Sequence, residues 1–386
     1  MVTSSAALLD LGGTLRACSA EQTLAWIRPL FPAFGLTRLA RVTGLDTIGV
    51  HVSVAVRPLS RSLSVSQGKG VSAELADASA AMESIELWHA EQLRPPDVEG
   101  TFSRLVARHE LVDPCELPSG LYPGGPDLRE TPAGWYRGLD LITEREMLVP
   151  DYVIDMRADQ PRPEWARVVC SSNGLASGNT REEAICHALF EVIERDGAAR
   201  LEQHPDRARS SRIDIASVDG PARSIVEKLL QARIRFCVYD AMSAAGVPSF
   251  VCHLRGDGEL RGLATFLGQG CHLSKDIALL RALSEAVQSR VTLIAGSRDD
   301  ISSSSYAEMR RSAHEALSFS GSASARQFAS VPSPEIPKSF SEIAADLTRR
   351  LQRLGAKHAV VVDLTKPELG VPVVFVQVPG LQQLLH

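Results

Sequence analysis

The sequence has no C-x-x-C pair, no net positive charge, no apolar run of membrane length and no P-loop, and each absence excludes something. Its seven cysteines, Cys18, Cys115, Cys170, Cys186, Cys237, Cys252 and Cys271, are scattered and odd in number. That pattern fits reduced thiols and excludes a disulfide framework or structural zinc. A formal net charge of -5 leaves no basic surface for sequence-independent nucleic-acid binding. The start, MVTSSAALLDLGG, has no basic n-region and its apolar run is broken by Asp10, so it does not read as a signal peptide. No apolar stretch is long enough to cross a bilayer. The expected compartment is therefore the cytoplasm, with neither nucleic acid nor membrane as a partner. What is present is ordinary for a soluble globular protein: 386 residues, 44% hydrophobic and 23% charged, enough for one large core or two domains.

Three segments share one design. TGLDTIGVHVSVAV (43–56), CVYDAMSAAGVPSFVCHL (237–254) and VVVDLTKPELGVPVVFVQVPG (360–380) each place an Asp before a turn. Each turn leads to Gly-Val and then to alternating apolar residues, the mark of a strand with one buried face. The second and third copies follow helical patterns, PARSIVEKLLQARI and SEIAADLTRRLQRLG. The recurrence predicts related units in one mixed α/β body, at a period too irregular for a solenoid. Polar or Pro-rich stretches at 113–134, 203–222 and 298–338 read as loops or insertions, and nothing marks a domain boundary.

Three helices carry a common signature. In SAELADASAAMESIELWHAEQL (72–93), Ser72 is the N-cap and Leu75, Ala78, Met82 and Ile85 form an apolar stripe. Beside the stripe, Ser79, Glu83 and Glu86 share one face. In NTREEAICHALFEVIERDGAAR (179–200) the stripe is Ile185, Leu189 and Val192, and Glu183, His187, Glu191 and Glu194 line the adjoining face. SKDIALLRALSEAVQSRVTLIAG (274–296) repeats the spacing with Arg281, Glu285 and Gln288. Glutamate is a good surface former, so any single helix could be a solvated face. Three matching helices point instead to a bound cation. Oxygen ligands without a histidine or cysteine cluster suit Mg²⁺, which takes a few carboxylates and completes its shell with substrate phosphates. Glu183 has a second reading as the N3 residue of a capping box begun by Thr180. His187 reads as a packing or solvent-facing residue rather than a ligand.

Two stretches could cradle phosphates. SLSVSQGKG (62–70) ends in Gly68-Lys69-Gly70, where glycines permit close backbone approach and the lysine offers a point charge. SNGLASGNT (172–180) brings Asn173, Asn179 and backbone N–H groups to the start of the second helix. Neither is a Walker A loop, since G-x-x-x-x-G-K-[ST] occurs nowhere. DLGGTL (10–15) is similar to the start of an aspartyl-phosphate phosphatase, but Gly12 stands where the second Asp is needed.

At these residues the sequence resembles the YcaO-domain family. SVSQGKG, SNGLASGNTREEAICHALFEVIERD and EAVQSRVTLIAGSRDD are similar to three separate family blocks, in order, and the likeness runs from about Thr23 to Gly380 within a single domain spanning 1–386. RPLSRSLSVSQGKG and RALSEAVQSR…AGSRDD look most like the stand-alone members that work with TfuA proteins. The resemblance implies an ATP-binding α/β fold in which Glu83, Glu86, Glu191, Glu194 and Glu285 hold Mg²⁺ on the triphosphate. It further implies nucleotide contacts by Ser79, Asn179, Glu183, Arg195, Arg281 and Gln288, with Lys69 near the phosphates.

The implied chemistry is phosphorylation of a backbone amide oxygen in a ribosomally made peptide. Thioamide formation with a TfuA-like protein or other sulfur donor is the expected outcome, and a homodimer the implied assembly. Leu87 follows Glu86 where cyclodehydratase members usually have Arg. The ending PGLQQLLH lacks the Pro-rich tail common in azoline-forming members. Gly12-Gly13-Thr14 lacks the lysine of the Lys-Gly-Thr start of TfuA-linked members, and leader-peptide capture is expected to need another chain. An azoline-forming cyclodehydratase and a non-catalytic nucleotide-binding scaffold are the alternative readings.

Overall fold

A computed structural model describes residues 8–117, 126–159, 171–204, 210–255, 265–299 and 325–381. All three Asp-turn-Gly-Val segments close antiparallel hairpins: β3 (Arg38–Arg41) with β4 (His51–Val56), β10 (Arg235–Asp240) with β11 (Ser249–Arg255), and β13 (Val360–Asp363) with β14 (Val373–Gln377). The turn glycines Gly49, Gly246 and Gly370 have φ of 73°, 66° and 69°, a conformation other residues adopt only at a cost. The valines after them, Val50, Val247 and Val371, are buried. Each Asp accepts a backbone N–H just beyond itself: Thr47 on Asp46, Met242 on Asp240 and Thr365 on Asp363.

Every hairpin gains a third strand. β5 (Val65–Gly70) pairs with β4, β12 (Phe266–Cys271) with β11, and β9 (Leu175–Ser177) with β14. A helix precedes each hairpin: α1 (Ala20–Ile27), α6 (Arg223–Gln231) and α8 (Phe340–Arg353). A long helix follows each third strand: α2 (Ala73–Glu91), α5 (Arg181–Gln203) after β9, and α7 (Lys275–Ala295). The chain thus builds three α-β-β-β-α units. Two are continuous, and the third joins α8, β13 and β14 to β9 and α5 from mid-chain. β7 (Ala133–Asp140), β8 (Glu146–Pro150) and β6 (Val98–Gly100) widen the sheet of the third unit. The short β1 (Leu9–Asp10) and β2 (Leu15–Arg16), α3 (Phe102–Leu105) and α4 (Asp151–Ile154) complete the elements.

The units close into a ring. β5 packs on α7, β12 on α5 and β9 on α2, so each unit lends its strand to the next unit's helix. Close approach to each unit's own helix explains the glycines of SQGKG. They lie in β5, not in a phosphate loop as expected. A Cβ on Gly68 would stand 2.0 Å from the Ala80 nitrogen, and one on Gly270 in β12 would stand 2.1 Å from the Ala278 oxygen. Small residues on the facing side, Ala76 and Ala80, are wholly buried.

The three stretches read as insertions are partly core. In 113–134, Pro114–Glu116 forms a 3₁₀ turn and β7 begins at Ala133, with 118–125 outside the described residues. In 203–222, Ile213 donates to the Val238 carbonyl and Asp214 to that of Arg326, extending the β10 edge. In 298–338, residues 300–324 lie outside the described set, but Phe328 is fully buried against Phe250. Apolar burial favours these side chains over solvent exposure by roughly 2 kcal/mol each, so sequence polarity nearby hid a core segment.

Candidate active site

The three long helices share one register. Ser72, Thr180 and Ser274 cap them, accepting the N–H of Leu75, Glu183 and Ile277 at 3.2, 3.1 and 3.4 Å. One turn spacing then repeats from each cap. Ser79, His187 and Arg281 occupy the first equivalent position, Glu83, Glu191 and Glu285 the second, and Glu86, Glu194 and Gln288 the third. All of them line one cavity of about 730 Å³, together with Lys69, Asn179, Glu183 and Arg195. The structure therefore gathers in one place every metal-binding and nucleotide-contacting residue that the resemblance implied, whereas Asn173 of the candidate phosphate stretch is not among the lining residues.

Strands reach across the seams to hold the carboxylates. The Ser177 amide and hydroxyl donate to Glu86 Oε1 at 2.8 and 2.6 Å. Lys69 Nζ lies 2.7 Å from Glu285 Oε2 across a seam, and from within the same unit the Gln269 amide donates to Glu285 Oε1 at 3.3 Å. Arg195 stands between Glu191, Glu194 and Glu285 at 3.8, 3.6 and 3.8 Å, a cation shared by three acids at more than hydrogen-bond distance.

About a fifth of the Glu191 and Glu285 side chains is exposed to the cavity and almost none of Glu194, the rest being packed within the protein. Burial pushes the Glu83 and Glu86 carboxyls up to about 7 and Glu191 up to about 8. Glu194 is raised for the same reason. Burial also opposes ionisation of Glu285, but Lys69 and Arg195 outweigh it and bring this carboxyl below its ordinary value. Arg195 remains charged, since Glu194, Glu285 and Glu191 overcome its own desolvation.

Glu183 differs from the others. It accepts from Arg16 Nη1, the Ala17 amide, the Asn179 amide and Asn179 Nδ2, while Thr23 donates to Asn179 Oδ1. The capping box is half formed: Thr180 takes the Glu183 N–H, but the Glu183 carboxylate reaches Asn179 instead of Thr180. His187, expected to pack or face solvent, lines the cavity with Nε2 3.3 Å from Arg281 Nη2. Arg16, Cys18 and Gln67 also line it and were not singled out from the sequence. Arg16 sits in the LRACS stretch beside the discarded DLGGTL motif, which offered no signal.

Among the described residues, no three His, Cys, Asp or Glu side chains close into a metal-binding group. The carboxylates line the cavity instead, and Gln288 Oε1 and Arg281 Nε are buried without a hydrogen-bond partner among the described residues. Buried acids pushed toward neutrality, and polar atoms left unpaired, fit a cation that arrives with oxygen ligands of its own.

Comparison with known proteins agrees with this donor set. The profile of the family described as YcaO cyclodehydratase, ATP- and Mg²⁺-binding, matches residues 67–382. The chain belongs to the YcaO family. An uncharacterised protein in the tfuA 3′ region of Rhizobium leguminosarum bv. trifolii is 36% identical over 380 residues, covering 95% of this chain and 88% of that protein. An uncharacterised protein of Methanothermobacter thermautotrophicus is 34% identical over 380 residues, 95% of each chain. The fold matches the structure of YcaO from Methanopyrus kandleri bound with AMPPCP and Mg²⁺ at a TM-score of 0.76 and 23% identity, over 97% of this chain and 94% of that one. It also matches a heterocyclase in complex with substrate and cofactor at 0.77 and 23% identity, over 95% of this chain and 53% of the other. The YcaO fold is thus the mixed α/β architecture expected, with Mg²⁺ and ATP as the family's cofactors. No helix among the described residues is long and apolar enough to span a membrane.

Proposed function

We propose that this YcaO protein phosphorylates a backbone amide oxygen of a ribosomally made peptide, at the expense of ATP, and that a TfuA-like partner supplies sulfur to complete a thioamide. The observation that carries the reading is the convergence of Glu83, Glu86, Glu191, Glu194 and Glu285 from three helices on one cavity. These five would hold Mg²⁺, which neutralises charge on the triphosphate when bound. Ser79, Asn179, Glu183, Arg195, Arg281 and Gln288 would contact the nucleotide. Lys69 and Arg195 bring positive charge beside Glu285, where it can favour phosphate oxygens.

An amide is a poor electrophile because nitrogen feeds electrons into its carbonyl. When the amide oxygen attacks the γ-phosphorus, the bond to the β-phosphate oxygen breaks and ADP departs. The oxygen then carries a good leaving group. Sulfide adds at the amide carbon, phosphate leaves with the original oxygen, and the proton of the added S–H is lost. Support for the sulfur partner comes from the relative encoded in a tfuA 3′ region. One domain, a homodimer and a cytoplasmic location complete the proposal.

Mass spectrometry of the precursor peptide tests it. With ATP and Mg²⁺ alone the peptide is expected to stay unmodified, and adding a TfuA-like protein or sulfide should give the sulfur-for-oxygen mass increase. Loss of water without any sulfur source would establish azoline formation instead. Absence of peptide-stimulated ADP release under all conditions would leave only a scaffold role.

A further inference from the structure

The cations that line the cavity are held in two different ways. Arg16 is paired with Glu183 at 3.2 Å, Lys69 with Glu285 at 2.7 Å, and Arg195 is shared among Glu191, Glu194 and Glu285. Arg298 lies near enough to Glu83 to favour its ionised form. Arg281 is held instead by an imidazole, its Nη2 lying 3.3 Å from Nε2 of His187. It favours the ionised forms of Glu194 and Glu285 from a distance, but among the described residues it forms no ion pair.

Hydrogen-bond capacity fixes the state of the ring. A guanidinium only donates, so Nε2 accepts and the imidazole proton is on Nδ1. The surroundings keep a second proton away. Burial, with Arg16, Arg281 and Lys69 nearby, holds the pKa of His187 well below the usual imidazole value. The ring is therefore neutral and fastens Arg281 without cancelling its charge, as a carboxylate in the same place would. Nδ1 is buried with no partner among the described residues, which costs roughly 1–3 kcal/mol. An apolar side chain would fill the space without that cost, so packing alone does not account for a histidine here.

We propose that His187 is a positioning residue for the nucleotide: it fixes Arg281, with its charge intact, so that the other N–H groups of the guanidinium meet phosphate oxygens. The inference rests on the reading of Arg281 as a nucleotide contact. Arg281 Nε is buried and without a hydrogen-bond partner among the described residues, so the guanidinium has donors to give. An arginine locked to a carboxylate offers a phosphate less, because its charge is partly neutralised and its donors are taken. One fixed by a neutral acceptor spends a single N–H. Its side chain also loses its freedom before the ligand arrives rather than on binding.

Calorimetric titration of the full chain with Mg²⁺·AMPPCP and with adenosine tests this. His187→Leu should weaken Mg²⁺·AMPPCP about five- to tenfold, the value of one hydrogen bond, and leave adenosine unchanged. His187→Gln, whose Oε1 is a neutral acceptor with a reach similar to that of Nε2, should return most of the affinity. Arg281→Leu should weaken Mg²⁺·AMPPCP at least as much as His187→Leu does. Adding His187→Leu to it should cost nothing more, because the histidine acts only through the arginine. Should His187→Leu fail to fold, His187→Met takes its place in each comparison. Wild-type affinity in His187→Leu, equal weakening of adenosine, no recovery in His187→Gln, or additive losses in the double variant would each overturn the inference. Wild-type affinity in Arg281→Leu would refute instead the nucleotide contact on which it rests, and failure of wild type to bind Mg²⁺·AMPPCP would refute the site as a whole.

Discussion

Glu191→Gln separates what this carboxylate costs the fold from what it contributes to the ligand. Burial lifts its pKa from 4.5 to about 8, a penalty on the charged form of about 5 kcal/mol at full value. Because 21% of the side chain meets cavity water, screening leaves about 2 kcal/mol. The sign follows from proton counts. Between pH 4.5 and 8 the folded protein holds a proton on Glu191 that the unfolded chain has released, so this group's contribution falls as pH rises. Glutamine has the same shape and no charge, and Arg195 retains Glu194 and Glu285. Without nucleotide, the variant should therefore melt a few degrees above wild type at pH 8, with the gap closing toward pH 5. Mg²⁺·AMPPCP at a hundredfold its dissociation constant should add about 2.7 kcal/mol to wild type and little to the variant, reversing the order. Thermal melts at both pH values, with and without ligand, decide it. A variant less stable than wild type at pH 8 would refute the electrostatic reasoning, and equal ligand stabilisation would refute the metal role.

Other expectations concern the seams and the packing. Lys69→Ala removes the cation beside Glu285 and should weaken ATP several-fold in calorimetric titration while leaving adenosine unchanged; equal weakening would make Lys69 structural. Gly68→Ala drives a methyl into the α2 backbone and should cost about 3 kcal/mol or more in urea denaturation; near-wild-type stability would disprove the close approach. Arg290 and Asp46 form a buried pair at 2.9 Å between α7 and the first hairpin turn. Arg290→Leu should cost about 3–5 kcal/mol by stranding Asp46, and Asp46→Leu in the same chain should restore part of it. No recovery in the double variant would show that the loss comes from packing against Phe266.

The hairpins were legible because their determinants are local. Asp46, Asp240 and Asp363 cap turns a residue or two away, and Gly49, Gly246 and Gly370 supply the positive φ within the same few residues. The carboxylate register was legible for the same reason, since a helix converts spacing into a shared face. Residues whose meaning depends on a distant partner were not. Gly68 and Gly70 look like a flexible loop until α2 is laid across them. Phe328 sits in a polar stretch and reads as surface until Phe250 is seen against it.

The third unit shows why the site needs the whole chain. Its hairpin lies near the C-terminal end, yet its third strand and carboxylate helix are threaded between the first and second units. β9 must pair with β14 and also rest on α2, where Ser177 holds Glu86. Glu86 and Glu191 therefore take their places only when segments about two hundred residues apart have met, a long loop closure that the packing of β14 and α8 on α5 offsets. The same geometry places the acids at seams between units rather than inside any one core. Hydrophobic burial stabilises each unit, and the ring forces carboxylates together at the junctions. The electrostatic cost of bringing them together is what a cation carried by phosphates would relieve.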